Sequence, residues 1–344
     1  MKALVKTEHG FGHLEIQDKP EPEAGRGQVK IEVKCAGVCG SDIHTYEGHY
    51  KVATPVTLGH EFAGVVVDVG EDVTEFKTGD RVTSETTYSI CGTCRYCQSG
   101  DYNLCNHRKG LGTQQDGGFT NYVIARKESV HHLPEKVDFQ AGAMTEPLAC
   151  TYHAVEKTTI NENDVVVVIG PGPIGLLTAQ TAKSKGATVV ITGLSADKVR
   201  LDKAKELNID YAVNTQEEDI NQLINSLTEG YGADVVFECS GAPPAANQGL
   251  ALLRKKGQYS QVGIFAQPEI QFDLEKIIQK EIRVVGSRSQ KSADWEPSLH
   301  LMNTGVVQAK PLVTHEYDIT QWEEAYQAIK QGEAIKVLLT PLPE

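Results

Sequence analysis

The 344-residue sequence lacks both a long hydrophobic run and an excess of basic residues. Its longest apolar candidate, Val165 to Ile169, is far shorter than the roughly 20 residues that a membrane helix needs. The net charge of −13 argues against nucleic acid or an anionic membrane as a partner, because both require a basic face. Residues 1–18 contain no apolar stretch typical of a secretory signal, so we expect a cytoplasmic protein.

Cysteine is also scarce, but half of the eight cysteines lie close together. Cys91, Cys94, Cys97 and Cys105 follow the spacing C-x2-C-x2-C-x7-C. Unrelated buried thiols or a pair of disulfides are alternatives, but thiols stay reduced in the cytoplasm, where such a cluster indicates a metal. Four thiolates around one tetrahedral zinc ion leave no open coordination position. The cluster therefore predicts a structural zinc site, and the chemistry must lie elsewhere.

The pattern of strands and helices changes along the chain. Residues 1–150 contain short β-branched segments interrupted by glycine and proline, which is typical of a small barrel-like sheet with long loops. From about residue 162, apolar strands alternate with helical segments, which predicts a parallel sheet with helices on both faces. After Gly286 the alternation ends, and one helix (322–331) and one short strand (335–339) remain. The sequence therefore predicts two modules.

A glycine-rich turn between the first apolar strand and the next helix fits the pattern G-x-G-x-x-G. It comprises Gly170, Pro171, Gly172, Pro173, Ile174 and Gly175. A strand before it and a helix after it are the context that distinguishes a dinucleotide-binding turn from an ordinary glycine-rich turn. In such turns the pyrophosphate lies at the helix N-terminus, where free N–H groups favour an anion. We therefore expect a nicotinamide dinucleotide at this turn.

The choice between the two nicotinamide cofactors depends on the end of the following strand. NAD-binding proteins carry an acidic residue about 20 positions after the turn, which binds the ribose 2′-hydroxyl. This chain has Gly193 at that place, followed by Ser195, Lys198 and Arg200. Either basic side chain could neutralise a 2′-phosphate, so we predict NADP, with NAD as the alternative. The competing interpretation is that both basic residues are ordinary solvated helix charges.

A second set of metal ligands is spread over three segments of the chain. Cys39 lies in the segment CAGVCGSDIH, the pair His60-Glu61 lies in LGHEFAG, and Glu146 precedes Pro147. A thiolate, an imidazole and a carboxylate are suitable zinc ligands, and three protein ligands leave one position for a substrate oxygen. Zinc in such a site acts as a Lewis acid and lowers the pKa of an alcohol. Each residue alone is more often structural, but the set beside a dinucleotide turn predicts a catalytic zinc site.

These motifs together resemble the zinc-dependent medium-chain dehydrogenases, the superfamily of alcohol and polyol dehydrogenases. The resemblance covers essentially the whole chain and rests on the four-cysteine segment, the glycine-rich turn and the pattern Gly59-His60-Glu61-x2-Gly64-x5-Gly70-x2-Val73. It implies an α/β protein that combines a GroES-like β-rich catalytic domain with a Rossmann doubly wound parallel sheet. The implied boundaries are 1–148 for the catalytic domain with a zinc lobe at 91–105, 149–288 for the Rossmann domain, and 289–344 for a return to the catalytic domain.

Within this superfamily, the polyol dehydrogenases of the sorbitol (L-iditol) type look most similar. The supporting segments are CGSDIH, YNLC, Glu146-Pro147-Leu148 and 310–315 (KPLVTH). The resemblance implies that Cys39, His60 and either Glu61 or Glu146 bind the catalytic zinc. Related alcohol dehydrogenases have a cysteine as third ligand, but we interpret Cys150 as a packing residue.

The resemblance also implies roles for neighbouring residues. Ser41 would take the hydroxyl proton of the substrate and His44 would deliver it to solvent, which suits imidazole because it titrates near neutral pH. Lys336 matches a basic position behind the zinc loop and is expected to pair with Glu61. Thr45, Tyr46 and Arg288 match positions that shape the substrate pocket in relatives.

The resemblance predicts an enzyme that oxidises a polyol or secondary alcohol to a ketone, with hydride transfer to NADP or NAD and two zinc ions per chain. Two alternatives are an amino-alcohol dehydrogenase of the L-threonine 3-dehydrogenase type and a non-catalytic dinucleotide-binding protein. The partners expected are a small-molecule alcohol and further copies of the chain, in a homotetramer or homodimer.

Overall fold

The computed structural model describes residues 1–266 and 269–343, which divide into two compact units. The first unit comprises residues 1–149, 290–304 and 309–344, and the second comprises residues 150–289 and 305–308. The first unit is therefore assembled from segments that lie on both sides of the second in the sequence. In the part of the chain that the structure describes, no helix combines the length and apolar character required to span a membrane.

The N-terminal part of the first unit is rich in short strands. These strands are β1 (Lys2–Lys6), β2 (Leu14–Asp18), β3 (Gln28–Gly37), β4 (Val56–Thr57), β5 (Glu61–Val69), β6 (Arg81–Ser84), β7 (Thr87–Ser89), β8 (Lys109–Gly110), β9 (Tyr122–Arg126) and β10 (Val130–His132). The helices of the same stretch are α1 (Gly40–Tyr46), α2 (Arg95–Gln98), α3 (Phe139–Ala143) and α4 (Thr145–Glu156); the residues of α4 from 150 onward belong to the second unit.

The second unit alternates strands with helices. Its strands are β11 (Val165–Ile169), β12 (Thr188–Gly193), β13 (Tyr211–Asn214), β14 (Ala233–Glu238), β15 (Leu253–Gln261) and β16 (Arg283–Gly286). Its helices are α5 (Pro173–Lys183), α6 (Lys198–Glu206), α7 (Ile220–Leu227), α8 (Pro243–Leu252) and α9 (Leu274–Lys280). The strands pair in parallel in the order β13-β12-β11-β14-β15-β16. The central strand β11 is VVVVI and fully buried, as expected for a parallel strand covered on both faces.

The chain then returns to the first unit with α10 (Trp295–Asn303), β17 (Val313–Asp318), α11 (Trp322–Lys330) and β18 (Lys336–Thr340). Strand β18 pairs antiparallel with β3, which also pairs with β5 and β9. The main sheet of this unit has the order β10-β6-β5-β3-β18-β17. Its hydrophobic core includes residues from both ends of the chain, such as Ile31, Phe62, Phe119, Trp322 and Val337. The C-terminal segment is therefore an integral part of the sheet that contains the predicted metal ligands.

Candidate functional site

Three of the predicted catalytic-zinc ligands meet in the first unit. The ligand atoms of Cys39, His60 and Glu61 all lie within 4.8 Å of one another. Cys39 is the N-cap residue of α1 and lies two residues after the end of β3. Glu61 begins β5, and the β3–β5 register places it opposite Gly37. The pairing of two neighbouring strands thus brings a thiol, an imidazole and a carboxylate together, and this is a donor set that suits zinc.

The carboxylate of Glu61 forms a buried ion pair with Lys336, the first residue of β18. The side chains of Glu61 and Lys336 are 2% and 3% exposed, so the predicted pair is almost completely removed from water. A Cβ atom on Gly37 would lie 2.3 Å from Oε2 of Glu61 and 2.8 Å from Cε of Lys336. Glycine is therefore required at position 37, because any side chain there would displace the pair.

Asp42, which the sequence analysis missed, supports the cluster from α1. One carboxylate oxygen accepts a 2.9 Å hydrogen bond from the backbone N–H of Cys39, and the other lies 3.8 Å from Nδ1 of His60. Burial disfavours the charged form of His60, but the charges of Asp42 and Cys39 outweigh burial and raise its pKa well above the usual value. Such a carboxylate behind an imidazole orients a metal ligand. The signal in the sequence was an aspartate three positions after a ligand cysteine.

Glu146 is buried on α4 and contributes negative charge to the same cluster. Its charge is among the influences that raise the pKa of His60 and of Lys336. For Lys336, burial works against the charged form, but Glu61 and Cys39 dominate and the pKa is raised. The negative charges around these two side chains raise both pKa values, which indicates an environment that favours a cation. Glu146 is not among the residues whose ligand atoms lie within 4.8 Å of one another.

The predicted relay residues lie on one face of α1. Ser41 and His44 are three positions apart, a spacing that places side chains on the same side of a helix. The hydroxyl of Thr45 donates to the backbone carbonyl of Ser41 at 2.8 Å. The buried ring of Tyr46 packs near Trp322, and its hydroxyl donates to Glu323 at 2.6 Å; its assignment to the substrate pocket stays a prediction. The structure gives Tyr46 a role in attaching α1 to α11, because its hydroxyl already has a partner in the interior.

Replacement of Lys336 by methionine is expected to lower the free energy of unfolding by about 3–5 kcal/mol, because Glu61 would remain buried without its partner. Chemical denaturation of the holoenzyme would measure this change. The matched control is Lys310→Met, which breaks an exposed pair with Asp138 and should cost about 1 kcal/mol or less. The double variant Lys336→Met/Glu61→Gln should recover part of the loss. Equal free energies of unfolding for Lys336→Met and Lys310→Met would contradict a buried, charged pair between Lys336 and Glu61.

The four predicted structural-zinc ligands also converge. The sulfur atoms of Cys94 and Cys97 are 3.5 Å apart, those of Cys91 and Cys105 are 3.6 Å apart, and those of Cys91 and Cys97 are 3.9 Å apart. Thiolates around tetrahedral zinc, at bond lengths of about 2.3 Å, lie about 3.8 Å from one another. Backbone N–H groups of Thr93 and Cys94 lower the pKa of Cys91 to about 6, which favours a thiolate. Burial and the neighbouring thiols raise the pKa of Cys97 to about 12, so the positions of the sulfur atoms, and not their pKa values, are what indicate a four-sulfur zinc site.

The glycine-rich turn of the second unit has the shape that a pyrophosphate requires. Gly170 follows β11 with a φ of 97°, and a Cβ there would lie 2.9 Å from the backbone nitrogen of Ser240. A Cβ on Gly175 would lie 1.9 Å from the carbonyl oxygen of Gly170. A Cβ on Gly172, by contrast, would meet no atom of the described residues within 4 Å. Gly172 caps α5, with Pro173 and Ile174 in its first turn, so the open space lies at the helix N-terminus.

Gly193 lies beside this turn at the end of β12, and a Cβ there would be 2.8 Å from Cγ of Pro171. Asp197, which the sequence analysis missed, accepts a hydrogen bond from the backbone N–H of Leu194 at 3.1 Å and pairs with Arg200 at 3.1 Å. A carboxylate therefore stands next to the predicted ribose site after all. Lys198 is 79% exposed and pairs with Asp202 one turn along α6, as the interpretation of an ordinary helix charge expects.

Two hydrogen-bonded side chains hold the loops at this edge of the sheet. Ser195 donates its backbone N–H to Gln216 at 2.9 Å, and its hydroxyl accepts from Asn214 at 2.9 Å. Glu238, which the sequence analysis missed, is fully buried at the end of β14 and accepts from the backbone N–H groups of Ser240 and Gly241. It therefore fixes the loop that packs against Gly170.

Arg288 lies in the second unit, exposed, shortly after β16. The metal ligands and α1 belong to the first unit. Its assignment to the substrate pocket stays a prediction.

Two protein families match the chain: the alcohol dehydrogenase GroES-like domain over residues 25–135, and the zinc-binding dehydrogenase family over residues 173–304. The predicted fold class, a GroES-like domain plus a Rossmann parallel sheet, is confirmed by these matches and by the sheets of the two units.

Similar proteins cover the whole chain. A sorbitol dehydrogenase of Halalkalibacterium halodurans is 72% identical over 99% of this chain and 100% of its own length. A D-arabitol-phosphate dehydrogenase of Enterococcus avium is 47% identical over 100% of this chain and 98% of its own. The crystal structure of a zinc-binding dehydrogenase from Sinorhizobium meliloti 1021, bound to NADP, superimposes with a TM-score of 0.91 at 30% identity and covers 99% of each chain.

Proposed function

The chain belongs to the zinc-dependent medium-chain alcohol and polyol dehydrogenases, and from this premise we propose that it oxidises a secondary hydroxyl group of a polyol to a ketone. The hydride passes to a nicotinamide dinucleotide. The observation that carries the proposal is the partly buried cluster of Cys39, His60 and Glu61 in a chain that also contains a dinucleotide-binding turn. The prediction of an enzyme is confirmed by the family, so the alternative of a non-catalytic dinucleotide-binding protein is set aside.

Cys39 and His60 would hold the catalytic zinc, with Glu61 or Glu146 as the third ligand. The ion supplies a Lewis acid that makes the hydroxyl group of the substrate more acidic. Asp42 orients His60, and Lys336 competes with the ion for the charge of Glu61. Because Lys336 pairs with Glu61, we favour Glu146 over Glu61 as the third zinc ligand.

The residues of α1 would carry the hydroxyl proton away from the substrate. Ser41 accepts it first, and His44 delivers it to solvent. The side chain of His44 is 42% exposed, so water reaches it, whereas its Nδ1 atom is buried and has no hydrogen-bond partner among the residues that the structure describes. Thr45 is buried on the same helix, and its hydroxyl donates to the backbone carbonyl of Ser41. It would therefore position Ser41 rather than contact the substrate.

The four-cysteine lobe would hold a second, structural zinc ion through Cys91, Cys94, Cys97 and Cys105. Four sulfur ligands close the coordination sphere, so this ion takes no part in the reaction. The site needs reduced thiols, which supports a reducing compartment such as the cytoplasm. Assembly into a homodimer or homotetramer stays a prediction.

We propose NADP as the preferred cofactor, with NAD as the alternative. Gly193 leaves the end of β12 without a carboxylate of its own, and Arg200, which pairs with Asp197, is the cation that would neutralise a 2′-phosphate. The zinc-binding dehydrogenase of similar structure is bound to NADP. Asp197 is the residue that favours NAD, because its carboxylate would repel a phosphate.

The substrate class that we propose is a sugar alcohol, free or phosphorylated. Two similar proteins are a sorbitol dehydrogenase and a D-arabitol-phosphate dehydrogenase, and polyol chemistry is common to both names. L-Threonine remains the second candidate substrate, because L-threonine dehydrogenases share the overall arrangement of motifs. L-Threonine dehydrogenases, however, carry Asp-Pro-Phe-Gly where this chain has Glu146-Pro147-Leu148.

A substrate panel with purified zinc-loaded enzyme tests the proposal. We expect oxidation of sorbitol, xylitol, galactitol or D-arabitol phosphate, with kcat/KM higher for NADP than for NAD, followed through the absorbance of the reduced nicotinamide. 2,3-Butanediol and L-threonine serve as the contrasting alcohols. Activity confined to L-threonine would overturn the polyol class, and a strong preference for NAD would overturn the cofactor assignment.

A further inference from the structure

The segment that follows α1 folds back over the relay residue. Gly48 has a φ of 80°, a left-handed conformation that favours glycine. The backbone N–H of His49 then donates to the carbonyl oxygen of His44 at 2.8 Å, and that of Tyr50 donates to the same oxygen at 3.0 Å. This turn brings the imidazoles of His44 and His49 together, with ring centroids 6.4 Å apart.

Packing holds this turn in place. A Cβ atom on Gly48 would lie 2.8 Å from the carbonyl carbon of Gly10, so the two backbone segments are in close contact. The loop that contains Gly10 is in turn held by the buried ammonium of Lys6, which donates to the carbonyl oxygens of Gly10 and Gly12. The positions of His44 and His49 are therefore fixed by the fold of the first unit.

Glu47 lies between the two imidazoles, and its two oxygens have different surroundings. Oε1 accepts from the ammonium of Lys330 at 2.7 Å and from the hydroxyl of Tyr326 at 3.2 Å. Oε2 lies 3.6 Å from Nδ1 of His44 and 3.5 Å from Nδ1 of His49. One oxygen is thus anchored to α11, and this anchor directs the other oxygen toward both histidines.

We propose that His44, Glu47 and His49 form a third metal site, which binds a divalent transition-metal ion such as zinc. The three ligand atoms lie within 4.8 Å of one another. Two ligands of a tetrahedral zinc ion, at bond lengths of about 2.0–2.1 Å, are roughly 3.3 Å apart, close to the 3.5 and 3.6 Å separations of the oxygen from the two nitrogens. Two imidazoles and one carboxylate form a zinc triad with an open position.

The third site binds its ion more weakly than the two others. Its ligands are more accessible, because the side chains of His44 and His49 are 42% and 67% exposed. The ammonium of Lys330 on the other oxygen of Glu47 also repels a cation. Ions at this site therefore exchange with solution and respond to the free zinc concentration.

Occupation of this site has a functional consequence, which rests on the proposed role of His44 in proton release. An imidazole nitrogen that binds a metal has no lone pair left to accept a proton there. Zinc bound to His44 therefore blocks delivery of the substrate proton to solvent. Excess zinc is expected to inhibit the same enzyme that needs zinc for activity.

The test uses the holoenzyme with its two zinc ions and counts additional zinc by equilibrium dialysis. We expect a third ion per chain, and a fall in turnover over the same range of zinc concentration. In His49→Gln the affinity for the third ion should fall at least about 10-fold, since the loss of even an outer partner of a ligand costs that much. Without added zinc, His49→Gln should keep its activity. His300→Gln, which changes an exposed histidine on α10, is the matched control and should still bind the third ion.

Tight third-ion binding by His49→Gln would overturn the site. A second outcome is that the parent enzyme binds a third ion, that His49→Gln does not, and that the parent enzyme is not inhibited by zinc. This outcome would support the metal site but would overturn the proposed inhibition and, with it, the proposed role of His44 in proton release. The failure of the metal site and the failure of the proposed proton route are therefore distinguishable.

Discussion

Replacement of His60 by alanine is expected to lower kcat/KM for alcohol oxidation by at least about 1000-fold while the protein stays folded. The imidazole lies in the partly buried cluster with Cys39 and Glu61, so its loss removes one of the ligands that would hold the catalytic ion. The Lewis-acid contribution of a metal is several kcal/mol, and each 1.4 kcal/mol is a factor of 10 in rate. Steady-state kinetics with the best substrate of the panel would measure the loss.

Zinc content separates this explanation from general damage. The His60→Ala protein should contain one zinc ion per chain, held by the four cysteines, and its circular dichroism should match the parent protein. His300→Ala, at an exposed position on α10, is the matched control and should keep both ions and full activity. An active His60→Ala enzyme would exclude zinc chemistry at this cluster.

Replacement of Cys97 by serine is expected to remove the structural zinc and to lower the free energy of unfolding by at least about 4 kcal/mol. Cys97 lies on α2, a single helical turn that buries no side chain, so this part of the lobe has little hydrophobic core to stabilise it. Small zinc lobes obtain about 10–16 kcal/mol of apparent binding energy from the metal, and much of this is folding energy. Zinc analysis and chemical denaturation would measure both effects.

The matched control for this variant is Cys35→Ser. Cys35 is buried on β3 and is not one of the four clustered cysteines, and burial raises the pKa of its thiol to about 12. Its sulfur lies 3.2 Å from the carbonyl oxygen of Phe139, and a serine hydroxyl keeps that hydrogen bond. Cys35→Ser should therefore retain two zinc ions. Two zinc ions in Cys97→Ser would show that the lobe does not hold the metal through its four sulfurs.

Local patterns explain which parts of the fold were predictable. The run of five apolar residues in β11 and the glycine-rich turn after it are contiguous, and their structure follows from neighbouring residues alone. Strand β17 (VTHEYD) was missed because its histidine, glutamate and aspartate interrupt the apolar pattern. It is a strand because it pairs in parallel with β18, and this pairing is not visible in its own sequence.

In the candidate site, too, the residues that belong to local sequence patterns were predictable, and those that depend on the folded arrangement were not. The ligand types and the glycine-rich turn were visible as spacings, so Cys39 and His60 could be found without coordinates. The role of Asp42 could not, because an aspartate in the first turn of a helix is usually only a helix-stabilising charge. The carboxylate of Asp197 was missed for a related reason: it is four residues past Gly193 in sequence, but the turn brings it back beside the end of β12.

The pairing of Glu61 with Lys336 joins residues that are 275 positions apart, and Lys336 begins a strand that pairs with β3. During synthesis on the ribosome, β3 and β5 emerge long before β18. Until the second unit has been translated, the edge of β3 that pairs with β18 therefore has no partner strand there, and Glu61 lacks the ammonium group of Lys336. An unpaired edge strand promotes aggregation. A chain truncated before β18 should therefore depend on chaperones to stay unaggregated. Lys336 thus completes a site whose other members, Cys39, His60 and Glu61, are synthesised much earlier.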